Sequence, residues 1–224
     1  IEALNSNQWV QEVTVNEALS VLADRAAEEC NDRTNSSINR ISFCRIAATA
    51  AWQAGNEKVI AYADVGMNLC EQGDNFSKVP RDCGMLAVIP NLASADELTT
   101  RLDALKTRTA DNTNPPGTDE IVDLFDSIQS RIDSLLENRK TIRESSAHPK
   151  LLENLDKYIG ILFCRNLHDT MGLIAQYSGV GTREHQSAQC KDYQMKVKLK
   201  KINFSRESAP CLPPGDPVKP AGCR

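Results

Sequence analysis

Apolar residues recur at helical spacing along most of the chain, which predicts a mainly α-helical protein. In the N-terminal half, three such segments are separated by polar or glycine-containing turns, and they span about residues 9–30, 37–54 and 57–71. The second segment is rich in alanine and carries Ile41 and Cys44 on its apolar face. Small residues permit a neighbouring helix to approach closely, so we expect tightly packed helices in this half.

The helical pattern continues in the second half of the chain. Thr118 is expected to cap a helix that ends near Arg143. The apolar stripe of this helix is the most regular in the sequence and comprises Ile121, Leu124, Phe125, Ile128, Ile132, Leu135 and Leu136. Pro149 fits the first turn of a long helix that continues to about Tyr177. A glycine-containing turn follows, after which Thr182 is expected to cap a further helix.

Three segments depart from the helical pattern. Two prolines predict an irregular connection over residues 78–91, and Ser94 and Glu97 form a capping-box pattern that predicts a helix start. Residues 108–117 contain two prolines followed by a glycine, which is typical of a linker. Apolar residues alternate with lysines and glutamine over residues 193–200, and this alternation predicts a short strand-like segment.

A spaced motif occurs twice. Ile41-Ser42-Phe43-Cys44-Arg45 is followed by Cys70, 26 positions after its cysteine, and Ile161-Leu162-Phe163-Cys164-Arg165 is followed at the same interval by Cys190. We interpret the motif as an internal duplication that gives two related, disulfide-linked helical-hairpin units. The predicted domains are a first unit at 1–107, a linker at 108–117, and a second unit at 118–224 that adds a basic insertion and a C-terminal disulfide loop.

All eight cysteines are expected to form disulfides, because their number is even and no C-x-x-C pair or zinc-type cluster occurs. A disulfide needs Cα atoms about 4.4–6.8 Å apart, which facing positions of a helix hairpin supply. Hairpins that turn near residues 57 and 177 would place the two cysteines of each motif copy opposite each other. The predicted bonds are Cys44–Cys70, Cys30–Cys83, Cys164–Cys190 and Cys211–Cys223, the last closing a proline-rich loop on itself.

Disulfides indicate an oxidising compartment, so we expect a secreted or periplasmic protein. The sequence begins at Ile1 and shows no signal peptide, and its longest apolar run is too short to cross a bilayer. Sequons of the form N-x-S occur at Asn35, Asn75 and Asn203. That number is close to chance for the asparagine content, so the sequons alone do not predict glycosylation.

Ala51-Trp52-Gln53-Ala54-Gly55-Asn56, followed by Ala61 and Tyr62, resembles the middle of a tetratricopeptide or Sel1-like helical hairpin. The resemblance covers roughly one repeat. It implies a helix-turn-helix at this place in the chain, with the turn close to Gly55.

Charge and the remaining polar residues add candidate contacts. A net charge of −4 gives no reason to expect a nucleic acid as partner, and no motif predicts a metal or cofactor. A basic cluster near the C-terminus is a candidate surface for an acidic protein or for a membrane surface, without spanning the membrane. Its members are Lys191, Lys196, Lys198, Lys200 and Lys201. The alternative is a charged strand that protects a sheet edge.

Catalytic candidates are weak. Cys164 and His168 are four residues apart and would share a helix face as nucleophile and base or as metal ligands, but the motif repeat favours a structural disulfide. Solvated surface positions are expected for His148 and His185 as well as for His168. Residues 179–182 are expected to form a turn rather than an anion site, because they lack the lysine of a P-loop.

These observations favour a non-enzymatic protein-binding factor, which includes an inhibitor or an immunity-type protein that neutralises a partner. Packed helix pairs expose grooves suited to peptides and proteins. The alternative is a helical sensor or carrier that holds a small molecule between its helices. An enzyme with residues drawn from both units is disfavoured, since the sequence shows no coherent catalytic set.

Overall fold

The computed structural model describes residues 2–111, 114–144 and 149–223. Its helices are α1 Glu2–Asn31, α2 Ser37–Gln53, α3 Val59–Cys70, α4 Asn75–Lys78, α5 Pro80–Asp111, α6 Thr118–Glu144, α7 Pro149–Ile161, α8 His168–Ser178 and α9 Arg183–Lys201. A π-helical segment, Leu162–Leu167, joins α7 to α8. The described residues contain no strand, and the expected all-α fold is confirmed. None of the described helices is long and apolar enough to cross a membrane.

The chain divides into two compact units, which are Ile1–Ala93 with Lys140–His148, and Ser94–Arg139 with Pro149–Arg224. We call them unit 1 and unit 2. They differ from the predicted domains 1–107 and 118–224, because α5 is one continuous helix that contributes to both units.

Helix α5 corrects the prediction of an irregular connection over 78–91. The helix begins at Pro80, where the first helical position tolerates proline, and it continues through Pro90. Ser94 therefore lies inside the helix and not at its start, and the first residues of the predicted linker are helical up to Asp111. Burial of the apolar residues of α5 outweighs the local signals for a break, and these residues include Leu86, Val88, Ile89, Leu98 and Leu102.

In unit 1, α2 packs against both α1 and α3. The small residues of α2 are buried, as the alanine pattern predicted, and they are Ala47, Ala48, Ala50 and Ala51. Ser36 caps α2 by accepting a hydrogen bond from the Asn39 amide at 3.3 Å. The turn between α2 and α3 includes Gly55, whose φ of 66° suits glycine, so the helix-turn-helix expected there is present.

The disulfides of unit 1 are Cys30–Cys44 and Cys70–Cys83, with Cα–Cα distances of 4.9 and 5.8 Å. The predicted bonds Cys44–Cys70 and Cys30–Cys83 are therefore wrong. The residue of α3 that faces Cys44 is Gly66, one turn before Cys70, and a Cβ at Gly66 would lie only 2.8 Å from the Cys44 Cβ. Cys44 instead faces α1 across the short turn between α1 and α2.

In unit 2, the expected helices after Thr118 and Pro149 are present. The apolar stripe of α6 is buried as predicted, with Ile121, Leu124, Phe125, Ile128, Ile132 and Leu135 all at 0–1% exposure. Further core residues come from α7, the π-helical segment and α9, and they include Leu155, Ile159, Phe163, Leu167, Met195 and Leu199.

The predicted strand at 193–200 is wrong, since these residues belong to α9. Met195 and Leu199 are four residues apart and buried, which is helical spacing, while Val197 is only partly buried. Lysine is a good helix former, so an alternation with lysines is compatible with a helix once its apolar residues are covered.

The disulfides of unit 2 are Cys164–Cys211 and Cys190–Cys223, with Cα–Cα distances of 5.5 and 5.4 Å. The predicted bonds Cys164–Cys190 and Cys211–Cys223 are therefore wrong. Cys44 and Cys164 occupy the same position in the two motif copies, but Cys44 bonds to a cysteine 14 residues before it and Cys164 to a cysteine 47 residues after it. The spacing of the cysteines is thus repeated along the sequence, but the pairing of the cysteines in disulfides is not repeated. All eight cysteines are nonetheless paired.

Candidate functional site

The segment Cys211–Cys223, which we call the C-terminal loop, is bonded at each end to a different part of unit 2. Cys211 bonds to Cys164 of the π-helical segment, and Cys223 bonds to Cys190 of α9. The Cys211 amide also lies 3.3 Å from the Cys164 sulfur, to which it donates. The loop is therefore held to the helices at both ends and is not closed on itself.

Proline and one apolar anchor restrict the loop between these bonds. Pro213, Pro214, Pro217 and Pro220 each fix φ near −65° and lack a backbone donor. Leu212 is buried at 3% exposure and fastens the start of the loop to the core. Lys200 of α9 reaches the loop through Asp216, whose carboxylate is 3.8 Å from the ammonium group. A chain restricted in this way loses little conformational entropy when it binds.

A groove of 350 Å³ lies between the loop and the neighbouring helices of unit 2. Its lining includes three half-buried prolines of the loop and, from the helices, Met171, Gln189, Asp192, Tyr193 and Lys196. The lining also includes Val218 of the loop, although most of that residue is exposed to solvent.

Val218 is the most exposed large hydrophobic residue of the described chain, at 89% exposure. Lys219 beside it is exposed too, and Pro217 and Pro220 flank the two residues. Val180, at 82% exposure, is comparable, but it lies in a turn between two glycines. Val218 is thus an apolar side chain that a restricted backbone presents to solvent.

Under the groove, Asp192 joins His168 and Lys196 in a charged cluster. The His168 Nε2 is 3.0 Å from one carboxylate oxygen, and the Lys196 ammonium donates to the other at 2.7 Å. Burial of the carboxyl raises the pKa of Asp192, but the hydrogen bonds from His168 and Lys196 outweigh it, so the pKa lies below its ordinary value. The rings of His168 and Phe163 pack in a T-shaped arrangement, with their centroids 5.2 Å apart.

This cluster does not form a nucleophile–base pair. The Cys164 sulfur is bonded to Cys211, so it is neither a nucleophile nor a metal ligand together with His168. Within the described residues, no group of three or more His, Cys, Asp or Glu side chains is placed to hold a metal ion. The cluster is instead a polar contact that joins α8 to α9.

The histidines expected at the surface have different outcomes. His185 is buried, at 8% exposure, and its Nδ1 accepts a hydrogen bond from the Gly181 amide at 3.1 Å. His168 is partly buried in the cluster with Asp192, so the solvated positions predicted for both histidines are wrong. His148 lies outside the described residues. The two described histidines have separate partners.

The segment 179–182 is a turn, as expected. Gly179 and Gly181 have φ values of 95° and 88°, which glycine adopts without strain. Thr182 caps α9 and accepts a hydrogen bond from the His185 amide at 3.3 Å. The amides of Gly181 and His185 are therefore engaged within the turn, which disfavours an anion site there.

Most lysines predicted to bind a partner are paired with carboxylates of unit 2. Lys191 donates to Asp126 at 2.6 Å, and Lys198 donates to Asp133 at 2.5 Å. Both pairs span 65 residues, so α6 and α9 run in the same direction. Lys196 and Lys200 lie by Asp192 and Asp216, while Lys201 is exposed at the end of α9. Their role in binding stays a prediction, and the pairing leaves less of their charge for a partner.

A second cavity in unit 2, of 270 Å³, bears on the small-molecule alternative. Its lining includes the charged residues Asp126, Arg183, Glu184 and Lys191. Pockets for small molecules are mainly apolar with a few polar groups that fix the ligand. The charged lining and the ion pair between Lys191 and Asp126 do not favour this cavity as the site of a carrier.

The sequence did not indicate the groove or its charged cluster. Asp192 and His168 are 24 residues apart, and their meeting depends on the turn between α8 and α9. One signal was present, since Asp192 has the helical spacing of the buried residues Ala188, Met195 and Leu199. That spacing was not recognised, because residues 193–200 were predicted to form a strand-like segment.

Comparison with known proteins does not assign a function. No family model matches the chain, and no curated protein or solved structure matches it. The function is therefore argued from the residues and their contacts.

Proposed function

We propose that this protein is a secreted or periplasmic, non-enzymatic protein-binding factor, of the inhibitor or immunity type, and that it contacts its partner through the C-terminal loop. The observation that carries the proposal is Val218, which projects from a loop that disulfides hold at both ends. The four disulfides support the oxidising compartment that the proposal requires.

The loop has two properties of an interaction surface. Its apolar tip lies next to a cation, Lys219, so that a partner can bury Val218 and pair with the ammonium group at the rim. Its proline content reduces the ordering cost on binding, which raises affinity for a given contact area. The same features keep the loop from collapsing onto the protein, as the exposure of Val218 indicates.

The test is capture of a partner from the native compartment, followed by measurement of its affinity for three forms of the protein. Val218→Asp is expected to weaken binding by at least about tenfold, or roughly 1.4 kcal/mol, because a carboxylate would enter an apolar contact. Val180→Asp is the matched control, since Val180 is similarly exposed at 82% but lies in a different turn. It is expected to bind like the wild type.

Equal binding by the wild type, Val218→Asp and Val180→Asp would contradict the loop as the contact surface. The absence of any partner at near-stoichiometric yield would contradict the protein-binding function itself. Thermal unfolding of both variants should match the wild type, since neither residue is part of the core.

A further inference from the structure

The three sequons differ sharply in their structural surroundings. Asn75 is buried at 8% exposure, and its side-chain amide donates to the Leu69 carbonyl at 2.9 Å. Asn35 is half-buried, and its amide nitrogen donates to the backbone oxygen and the carboxylate of Glu29, at 3.2 and 3.0 Å. A glycan would force the buried Asn75 side chain out of the interior, and at Asn35 it would replace one of the two N–H groups that bond to Glu29.

Asn203 lies on the surface at the end of α9. Its φ is 51°, the left-handed conformation that asparagine tolerates better than most residues. The Asn203 amide donates to the Lys200 carbonyl and the Phe204 amide donates to the Leu199 carbonyl, both at 3.0 Å. These two bonds form a Schellman motif, in which Asn203 is the residue that ends the helix.

The middle residue of this sequon fixes the orientation of the other two. Phe204 is buried at 6% exposure, and the Arg139 guanidinium lies 5.5 Å from the centre of its ring. Asn203 and Ser205, on either side, are both exposed. The turn therefore holds the acceptor asparagine and the serine of the sequon at the surface, with their shared neighbour as the anchor.

We infer that Asn203 is an acceptor site for an N-linked glycan. The reaction joins the Asn203 Nδ2 to the anomeric carbon of the first sugar of a lipid-linked oligosaccharide pyrophosphate. The bond between that carbon and the pyrophosphate oxygen breaks, the lipid pyrophosphate leaves with the electron pair, and the amide nitrogen loses a proton. The inference rests on the secretion that the proposed function includes, in a pathway that carries the glycosyl transferase, and not on binding of a partner.

The folded structure determines at which asparagines a glycosylated chain is still able to fold. Transfer takes place on the chain as it enters the secretory pathway, and the fold must then accommodate the bulky, solvated sugar. At Asn203 the sugar extends into solvent from a helix end whose backbone bonds do not involve the side chain. At Asn75 the sugar would displace a side chain that is held in the interior of unit 1.

The test uses protein purified from the extracellular fraction of its native source. Enzymatic release of N-glycans in ¹⁸O water converts each modified asparagine to a labelled aspartate, which peptide mass spectrometry locates. The expected result is the label at Asn203 and at neither Asn35 nor Asn75. An unmodified Asn203, or a label at Asn75 in folded protein, would overturn the inference.

Variants secreted from a eukaryotic host provide the control. Ser205→Ala is expected to abolish the glycan while it leaves Asn203 and its left-handed backbone in place, although it removes the hydrogen bond that the Glu207 amide donates to the Ser205 hydroxyl. Asn75→Gln is expected to leave the glycan unchanged. Retention of the glycan in Ser205→Ala would overturn the inference. Loss of the glycan without loss of partner capture separates this inference from the proposed function.

Discussion

Gly160 of α7 lies directly against the backbone of Ser208, and a Cβ at position 160 would be 1.7 Å from the Ser208 carbonyl oxygen. A backbone carbonyl is not able to rotate away as a flexible side chain does. We therefore expect Gly160→Ala to lower the free energy of unfolding by about 3 kcal/mol, the upper part of the range for overpacked sites. Chemical denaturation measures the change as a lower midpoint at an unchanged slope.

Gly172 supplies the matched control for this prediction. It is exposed in α8, and a Cβ there would meet no atom within 4 Å. Gly172→Ala is expected to raise stability by up to about 1 kcal/mol, because alanine has the higher helix propensity. Replacement of glycine by alanine is thus expected to lower the free energy of unfolding at position 160 and to raise it at position 172. Similar midpoints for both variants would contradict the close contact between Gly160 and Ser208.

The disulfides of the two units differ in burial, and this difference predicts their order of reduction. Thiol–disulfide exchange requires access of the attacking thiolate to a sulfur. In unit 1 the four cysteines are buried at 0–2% exposure, and in unit 2 they are half-buried. We expect mild reduction followed by alkylation to label unit 2 first, at Cys164, Cys211, Cys190 and Cys223.

Mass-spectrometric mapping of the unreduced protein checks the bonds themselves. The expected cross-linked peptides contain Cys30–Cys44, Cys70–Cys83, Cys164–Cys211 and Cys190–Cys223. A Cys44–Cys70 peptide would contradict this connectivity. Labelling of unit 1 before unit 2 would show that burial does not control the order.

Local signals in the sequence predicted what depends on local contacts. Thr182 caps α9 as predicted, because the capping bond links residues only three apart. The bonding of Cys164 was not predictable in this way, since its partner Cys211 is 47 residues away and α8 and α9 lie between them in the chain. The 26-residue interval described the spacing of cysteines in the chain and not their distance in space.

Pro90 and Asp192 illustrate the other cause of error. Each is locally unfavourable in a buried helix, and each is accepted because of contacts made elsewhere in its unit. Pro90 lies within α5, where neighbouring apolar residues are buried, and Asp192 is buried because His168 and Lys196 satisfy its carboxylate. The groove of unit 2 depends on such contacts, so it could not be predicted from the sequence.

The lysine–aspartate pairs between α6 and α9 are expected to contribute little to the free energy of unfolding, and this contribution should fall at high salt concentration. Lys198 and Asp133 are about half-exposed, with side-chain exposures of 51% and 42%. A double-mutant cycle of Lys198→Ala and Asp133→Ala should give a coupling energy of about 0.5 kcal/mol at low ionic strength. At high salt the coupling should approach zero, because the charges are screened.

Lys201→Ala combined with Asp133→Ala is the control cycle, since Lys201 has no carboxylate within ion-pair distance among the described residues. Its coupling energy should be zero within error. A coupling for Lys198 and Asp133 that does not change with salt would contradict the interpretation as a solvated ion pair.

Asp192 is expected to make the stability of the protein depend on pH. Its pKa is lowered in the folded state, so its ionised form adds stability above the ordinary aspartate pKa of about 3.9. That contribution is lost as pH falls through the folded-state pKa, when the carboxyl gains a proton. Asp192→Asn should therefore be less stable than the wild type by about 2 kcal/mol at neutral pH, because the hydrogen bonds with His168 and Lys196 lose their charged acceptor.

Urea denaturation of the wild type and Asp192→Asn between about pH 3 and pH 7 tests this dependence. The difference in stability between the two proteins should shrink as the pH falls below about 4. Asp216→Asn is the control, because that side chain is fully exposed, at 102%, and its removal should change stability by less than about 0.5 kcal/mol. If the difference in stability stays constant to the lowest pH, Asp192 contributes through packing. Its negative charge, which His168 and Lys196 contact, would then not be the source of the stability.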